Sequence, residues 1–305
     1  MERRFVGGNP SLPSRRSTGR LTQTLSIEEW TTLESFNRIF GAPKPVIAML
    51  HLPALPGRPL HDRSEGVTGA VDGVARDLDA LQAAGVDGLL FCNEADLPYQ
   101  LEVGHEISAA MASIVGQLRS EVRVPFGVNI LWDPIASLAV ARATGARFIR
   151  EVLTGVYESD LGMIEPHIGN IAGYRSAIGG DDIALFDNIA PEFASAIGSR
   201  GVAERAKAAA FLRMDAILIS GPAAGVPFEM SDLRIAKEAA PEAAIIANTG
   251  VRADRIAEIF EVADGVIVGT SLKVDGHTWN PVDPDRAHRL MEAARSARSS
   301  VSTGA

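Results

Sequence analysis

The runs IIANTGV (Ile245–Val251) and GVIVGTSLK (Gly265–Lys273) each hold a few apolar residues and then stop at a hydroxylated residue beside a glycine. Neither alternates polar with apolar, so neither suits a sheet with one wet face. Continuous Val/Ile-rich runs of this length suit strands buried on both faces, which points to parallel strands covered by helices. Six more runs lie upstream: PVIAMLH from Pro45, VDGLLFCNE from Val86, PFGVNIL from Pro125, RFIRE from Arg147, IALFDN from Ile183 and DAILISG from Asp215. Ala-rich stretches of helical period separate them, as where Val71, Val74, Leu78 and Leu81 recur at spacings of three and four. Asp133 and Pro134 read as the cap and first residue of one such helix, and the last helix covers roughly Asp283 to Ala297.

Eight strands, each followed by a helix, over residues 42–298 predict a single (β/α)8 TIM barrel. The rival, a doubly wound open sheet, more often carries a Gly-rich turn after its first strand; here that strand ends MLHLPALPG (Met49–Gly57). Ser26 to Gly41 predicts a helix capping the bottom of the barrel, with Ser26 and Glu29 as a capping box, Trp30, Leu33, Phe36 and Phe40 near one face, and Gly41 as the stop. Residues 26–298 thus form one domain. Residues 1–25, with Arg3, Arg4, Arg15, Arg16 and Arg20 against one acid, predict a flexible basic arm, and residues 299–305 a disordered tail. No apolar segment follows Arg15 and Arg16, which argues against a twin-arginine export signal.

Composition narrows the partners. Of 305 residues, 46% are hydrophobic and 22% charged, ordinary for a globular protein with a sizeable core. The net charge of −9 argues against nucleic acid as a partner, and no apolar run approaches the roughly 20 residues of a membrane span. A single cysteine, Cys92, excludes an internal disulfide and fits a reducing, cytoplasmic setting; inside a strand it reads as core rather than nucleophile. Assembly into a homo-oligomer stays open.

In such a barrel the active site lies at the C-terminal ends of the strands, so polar residues there are the informative ones. The strand ends offer His51, Asn93 and Glu94, Asn129, Glu151, Asp187 and Asn188, Ser220, Asn248 and Thr249, and Thr270 and Ser271. A ring of polar groups at the rim of a core implies a polar ligand, since each costs free energy unless partnered. Gly250 and Gly269, in the loops where many barrels bind phosphate, would let backbone N–H groups approach an anion, with Thr249, Thr270 and Ser271 adding hydroxyls. The plainer alternative is that both glycines make tight turns. On the phosphate reading, Gly250→Val abolishes ligand binding and leaves the fold largely intact. His51, Glu94, Glu151 and Asp187 are the candidate acids and bases, or ligands of a divalent ion such as Mg2+ with Asn93 or Asn129 in support. Each carboxylate has an equally plain role in an ion pair with an arginine such as Arg150. If Glu151 faces inward, Arg150 faces the helices, or the reverse, and both registers fit the sequence. Lys273 suits either a phosphate or solvent. None of Lys44, Lys207, Lys237 and Lys273 lies within a strand, which disfavours a Schiff-base mechanism. Two loops are long enough for lids: the one after the first strand, with Arg58, His61, Asp62 and Arg63, and GPAAGVPFEMSD from Gly221.

The motifs AMLHLPALPG, FCNEADLPY, PFGVNILWDP, ATGARFIREVLTGVYESDLG and IIANTGV, in this order between about Lys44 and Arg298, resemble the BtpA/SgcQ family. The resemblance is closer to the SgcQ branch, because LFDNIAPE (Leu185–Glu192) stands where the BtpA branch is expected to carry a lysine–histidine pair. It implies a barrel related to those that bind ribulose phosphates. For the BtpA branch it implies a link to thylakoids and photosystem I accumulation, and for the SgcQ branch a link to sugar uptake and modification. It implies no established catalytic residues. Two functions follow as expectations: an enzyme acting on a small phosphorylated sugar or related metabolite, of isomerase or lyase type, or a non-catalytic assembly factor.

Overall fold

The computed structural model describes residues 32–302; the basic arm, the Ser26–Glu29 capping box, Trp30 and residues 303–305 lie outside the described residues. Eight parallel strands close into a barrel: β1 (Val46–His51), β2 (Gly88–Cys92), β3 (Phe126–Asn129), β4 (Phe148–Glu151), β7 (Ala184–Ala190), β9 (Ala216–Ile219), β10 (Ile245–Ala247) and β11 (Gly265–Val268). The ring closes where Ile47 of β1 pairs with Ile267 of β11. A helix follows each strand: α2 (Gly66–Ala84), α3 (His105–Leu118), α4 (Pro134–Thr144), α5 (Ile168–Ala177), α6 (Val202–Phe211), α7 (Met230–Ala239), α8 (Ile256–Phe260) and α9 (Pro284–Ser302). The last runs to Ser302, four residues beyond the expected boundary at 298. Asp133 caps α4 as anticipated, accepting from the Ile135 and Ala136 N–H groups at 3.0 Å. Three short strands, β5 (Tyr157–Ser159), β6 (Gly162–Ile164) and β8 (Ala194–Ala196), form an additional antiparallel sheet with β5 in the middle. Among the described residues no helix is long and apolar enough to cross a membrane.

The period-two alternation of the strands sorts their side chains into two cores. Val46, Ala48, Leu50, Leu89, Phe91, Val128, Ile149 and Leu185 pack outward under the helices, whereas Ile47, Leu90, Phe148, Phe186, Leu218, Ile246 and Ile267 fill the interior. The bottom of the interior is aromatic. Phe148 and Phe186 stack with centroids 4.5 Å apart, and Phe36 and Phe40 of helix α1 (Thr32–Phe40) cover them at 5.6 and 5.7 Å. Sequence makes room for this plug: a Cβ at Gly88 would come 2.5 Å from the Phe40 ring, and one at Gly127 2.3 Å from Phe148. With its lower half filled by aromatic rings, the barrel can present polar groups only at its upper end.

Lys273, expected near phosphate or solvent, is neither. It is 1% exposed, with Nζ 2.8 Å from Asp77 Oδ2 on α2, while Asp77 Oδ1 accepts from the Val282 N–H. The pair bolts the segment after β11 to the outer helix layer. Removing one partner would leave a buried charge without compensation, which costs about 3–5 kcal/mol. Asp77→Ala is therefore expected to lower urea stability by that order, and a paired Asp77→Leu/Lys273→Met change to recover most of it; a single variant as stable as wild type contradicts this role.

Candidate functional site

β4 decides what the barrel mouth contains. Phe148 belongs to the interior cluster and Ile149 to the outer one, so alternation sends Arg150 inward and Glu151 outward. Glu151 is fully buried between β4 and α4, where its Oε1 accepts from Ser137 Oγ at 2.6 Å and Asn129 Nδ2 at 2.8 Å. By the same alternation Asp187 leaves the interior; it accepts from the Leu153 N–H at 2.8 Å and Thr154 Oγ1 at 2.6 Å and braces the turn after β4. Neither lines the mouth. The expectation that both converge there is corrected by the register of their strands.

The mouth holds a pocket of about 560 Å³, part of it open to solvent, whose ionisable lining groups are His51, Glu94, Tyr99, Arg150 and Glu192. At its floor Arg150 Nη2 meets Glu192 Oε1 at 2.8 Å and Oε2 at 3.0 Å, while Nη1 reaches Asn129 Oδ1 at 3.4 Å. Glu192 also accepts from Asn188 Nδ2 at 3.0 Å, Asn248 Nδ2 at 3.1 Å and the Thr249 hydroxyl. Ser220 Oγ joins the network, donating to Asn188 Oδ1 at 3.1 Å and accepting from Asn248 Nδ2 at 2.7 Å. Five donor contacts fill the lone pairs of Glu192, which locks it in place. Of the residues expected to hold ligand, Asn129 bonds Arg150, and Ser220, Asn248 and Thr249 bond one another or Glu192; all are parts of the floor, and only Asn248 and Thr249 line the pocket. Two buried N–H groups of the wall, Arg150 Nε and Trp132 Nε1, have no acceptor among the described residues.

Glu94 and His51 are the expected acids and bases that do line the pocket. Glu94 Oε1 lies 3.4 Å from the Tyr99 hydroxyl and Oε2 3.5 Å from Cys92 Sγ. Enclosure, and then the charge of Glu192, hold its carboxyl above the usual carboxylate range. Burial and then Lys273 push His51 down to about 3, so its imidazole is neutral. Its Nδ1 lies 3.4 Å from the Thr278 carbonyl, which can only accept; the ring proton is therefore on Nδ1 and Nε2 remains an acceptor. Burial raises the Cys92 thiol well above its ordinary value, in keeping with a core residue.

The side of the mouth that adjoins His51 and faces Glu94 is built from glycines and hydroxyls. Gly225 from the loop after β9, Gly250 after β10, and Gly269 with Thr270 after β11 line it together. A Cβ at Gly225 would lie 3.4 Å from Thr270 Cγ2, and one at Gly269 3.1 Å from His51 Nε2. Gly250 has φ +75°, and a Cβ there would fall 2.4 Å from Pro227 Cα. Gly250 is thus needed for its own turn and for the close passage of the loop after β9, and Gly250→Val would displace that loop rather than act on binding alone. Ser271 donates to the Val251 carbonyl at 2.7 Å and does not line the pocket. The loop after β1 is pinned elsewhere: Arg58 to the carbonyls of Asp96 and Pro98, His61 to the Ala54 carbonyl, and Asp62 to Ser64. Among the described residues no group of three or more His, Cys, Asp or Glu side chains is placed to hold a metal ion.

Sequence reasoning passed over Glu192, which lies beyond the irregularity in β7 pairing between Asn188 and Ala190 instead of at a strand end. The available signal was the stretch LFDNIAPE itself, which ends in Glu192. Glu151 yields a test of its placement. Burial pushes its carboxyl up to about 8 from 4.5. Between those values the native state keeps a proton that the unfolded chain has released, so stability falls as pH rises through this window and levels off above it. Glu151→Gln, permanently neutral, lacks this slope, so wild type should lose up to about 1.4 kcal/mol per pH unit relative to it. Urea unfolding of both proteins at the two ends of the window measures the difference; parallel pH profiles contradict a protonated Glu151.

Comparison with known proteins agrees with this architecture. The BtpA family model matches residues 42–296. The sgc region protein SgcQ of Escherichia coli is 42% identical over 85% of this chain and 97% of its own, and the photosystem I biogenesis protein BtpA of Synechocystis is 33% identical over 83% and 89%. Among solved structures, the native KDPGal structure aligns with a TM-score of 0.52 at 15% identity, over 84% of this chain and 96% of that one. Phosphoribosyl anthranilate isomerase of Thermus thermophilus aligns with a TM-score of 0.51 at 11% identity, over 83% and 98%. These last two show a shared barrel fold. The family match and the two relatives together place the sequence: the chain belongs to the BtpA family.

Proposed function

We propose that this chain is an enzyme acting on a small phosphorylated sugar or related metabolite by general acid–base chemistry of isomerase or lyase type. The observation that carries this reading is the division of one pocket. Glu94 stands in a pocket whose far side is made of Gly225, Gly250, Gly269 and Thr270, with His51 beside Gly269 on that side. Phosphate would lie against the glycine side, where missing side chains let an anion approach the backbone. Glu94, whose burial raises its proton affinity above that of an ordinary carboxylate, would take and return a proton, as a general acid–base must. His51 Nε2 would accept a hydrogen bond from a substrate hydroxyl and orient it. Arg150 and Glu192 would hold the floor rigid and take no part in proton transfer.

A thermal-shift screen against phosphorylated sugars tests this. Binding should raise the melting temperature by mass action, and Gly269→Val, which crowds His51 and fills the rim, should remove the response in a folded protein. Once a substrate responds, Glu94→Gln should lower turnover by about 10²–10⁴ while leaving the thermal response in place. The assembly reading, suggested by the name of the 33% identical Synechocystis relative, takes over if no phosphorylated compound responds and a protein partner is captured instead.

A further inference from the structure

The two halves of the mouth come from different halves of the barrel. β9, β10 and β11 are contiguous and supply the glycine side; β2, β3, β4 and β7 are contiguous and lead to Glu94, Trp132, Arg150 and Glu192. A phosphate on the first half leaves the rest of the ligand against the second. The charges there decide what that remainder can be. Arg150 is the one cation among the described lining residues, and both of its Nη2 contacts go to Glu192. Lys273, the cation whose charge acts on His51, is spent on Asp77. Glu94 stands close enough to Glu192 and Arg150 to feel both. An arriving carboxylate would therefore meet a guanidinium already neutralised by Glu192 and, beyond that pair, the acidic side chain of Glu94 in a confined space, where like charges repel. The same wall suits uncharged oxygens. Glu94 can accept from a hydroxyl, and Trp132 lines the pocket beside it with a largely apolar ring.

Resting on the phosphate reading above, we propose that the pocket selects monophosphorylated ligands whose remaining part is uncharged, with hydroxyl or carbonyl oxygens, and rejects phosphorylated sugar acids and bisphosphates. Specificity would then come from the paired state of Arg150, which denies an anion its natural partner, as much as from attraction to the accepted ligand.

Calorimetric titration of the full chain at neutral pH with dihydroxyacetone phosphate, 3-phosphoglycerate and inorganic phosphate tests this, since the first two differ little in size and stereochemical demand. Dihydroxyacetone phosphate is expected to bind at least about tenfold more tightly than 3-phosphoglycerate, and Glu94→Gln to shrink that ratio to under about threefold. Three-phosphoglycerate binding as tightly as dihydroxyacetone phosphate, or a folded Glu94→Gln variant with an unchanged ratio, overturns this inference and leaves the phosphate reading standing. Inorganic phosphate binding with no gain from either three-carbon chain has the same consequence. Binding of none of the three, phosphate included, removes the phosphate reading and this inference with it. Should Glu94→Gln fail to fold, the wild-type ratio decides alone.

Discussion

Arg150 carries a guanidinium into the interior of a barrel, 4% exposed, and a charge in that position is tolerable only with a partner of opposite charge. Glu192 is that partner, taking both Nη2 contacts, and its remaining lone pairs then recruit Asn188, Asn248 and Thr249. Those residues reach the ion pair from β7 and from the end of β10, so satisfying one buried charge fixes the relative height of the strand ends around half the ring. Thr249 shows how firmly. It holds a left-handed backbone, φ +56°, which a β-branched residue adopts only when its surroundings impose it. The loop it begins contains Gly250 and passes against Pro227, so the glycine side of the mouth inherits its shape from the floor.

Below this layer the barrel is closed by rings from Phe148, Phe186, Phe36 and Phe40. The aromatic plug excludes water from the lower interior and leaves the upper end as the place where polar groups can meet a ligand. Enclosure there is what raises Glu94 and lowers His51, so the same packing that stabilises the fold tunes the groups proposed to do chemistry.

The barrel was legible because buried parallel strands leave continuous apolar runs, and eight of them at regular spacing admit few alternatives. The polar strand ends were legible as a class, and His51, Glu94, Gly250, Gly269 and Thr270 do meet in one pocket. What could not be read was direction. In RFIRE every residue is compatible with either face, and a shift of one position exchanges Arg150 with Glu151; only pairing with neighbouring strands, through Ile149 opposite Leu185, fixes the choice. Asp187 was misplaced for the same reason. Glu192 escaped notice because an irregularity in β7 carries the chain back over the mouth beyond the expected strand end, and no local pattern marks such a return. Lys273 looked free because its partner, Asp77, lies 196 residues away in sequence.

The dependence of the mouth on a closed Arg150–Glu192 pair is open to one direct observation: a crystal structure of the chain grown in inorganic phosphate. The prediction is an anion seated among Gly225, Gly250, Gly269 and Thr270, with Glu192 still accepting from both its guanidinium contacts. An anion bound to Arg150 with Glu192 swung aside would show that the guanidinium is a ligand-binding group after all, and would contradict the division of the pocket on which the functional reading is built.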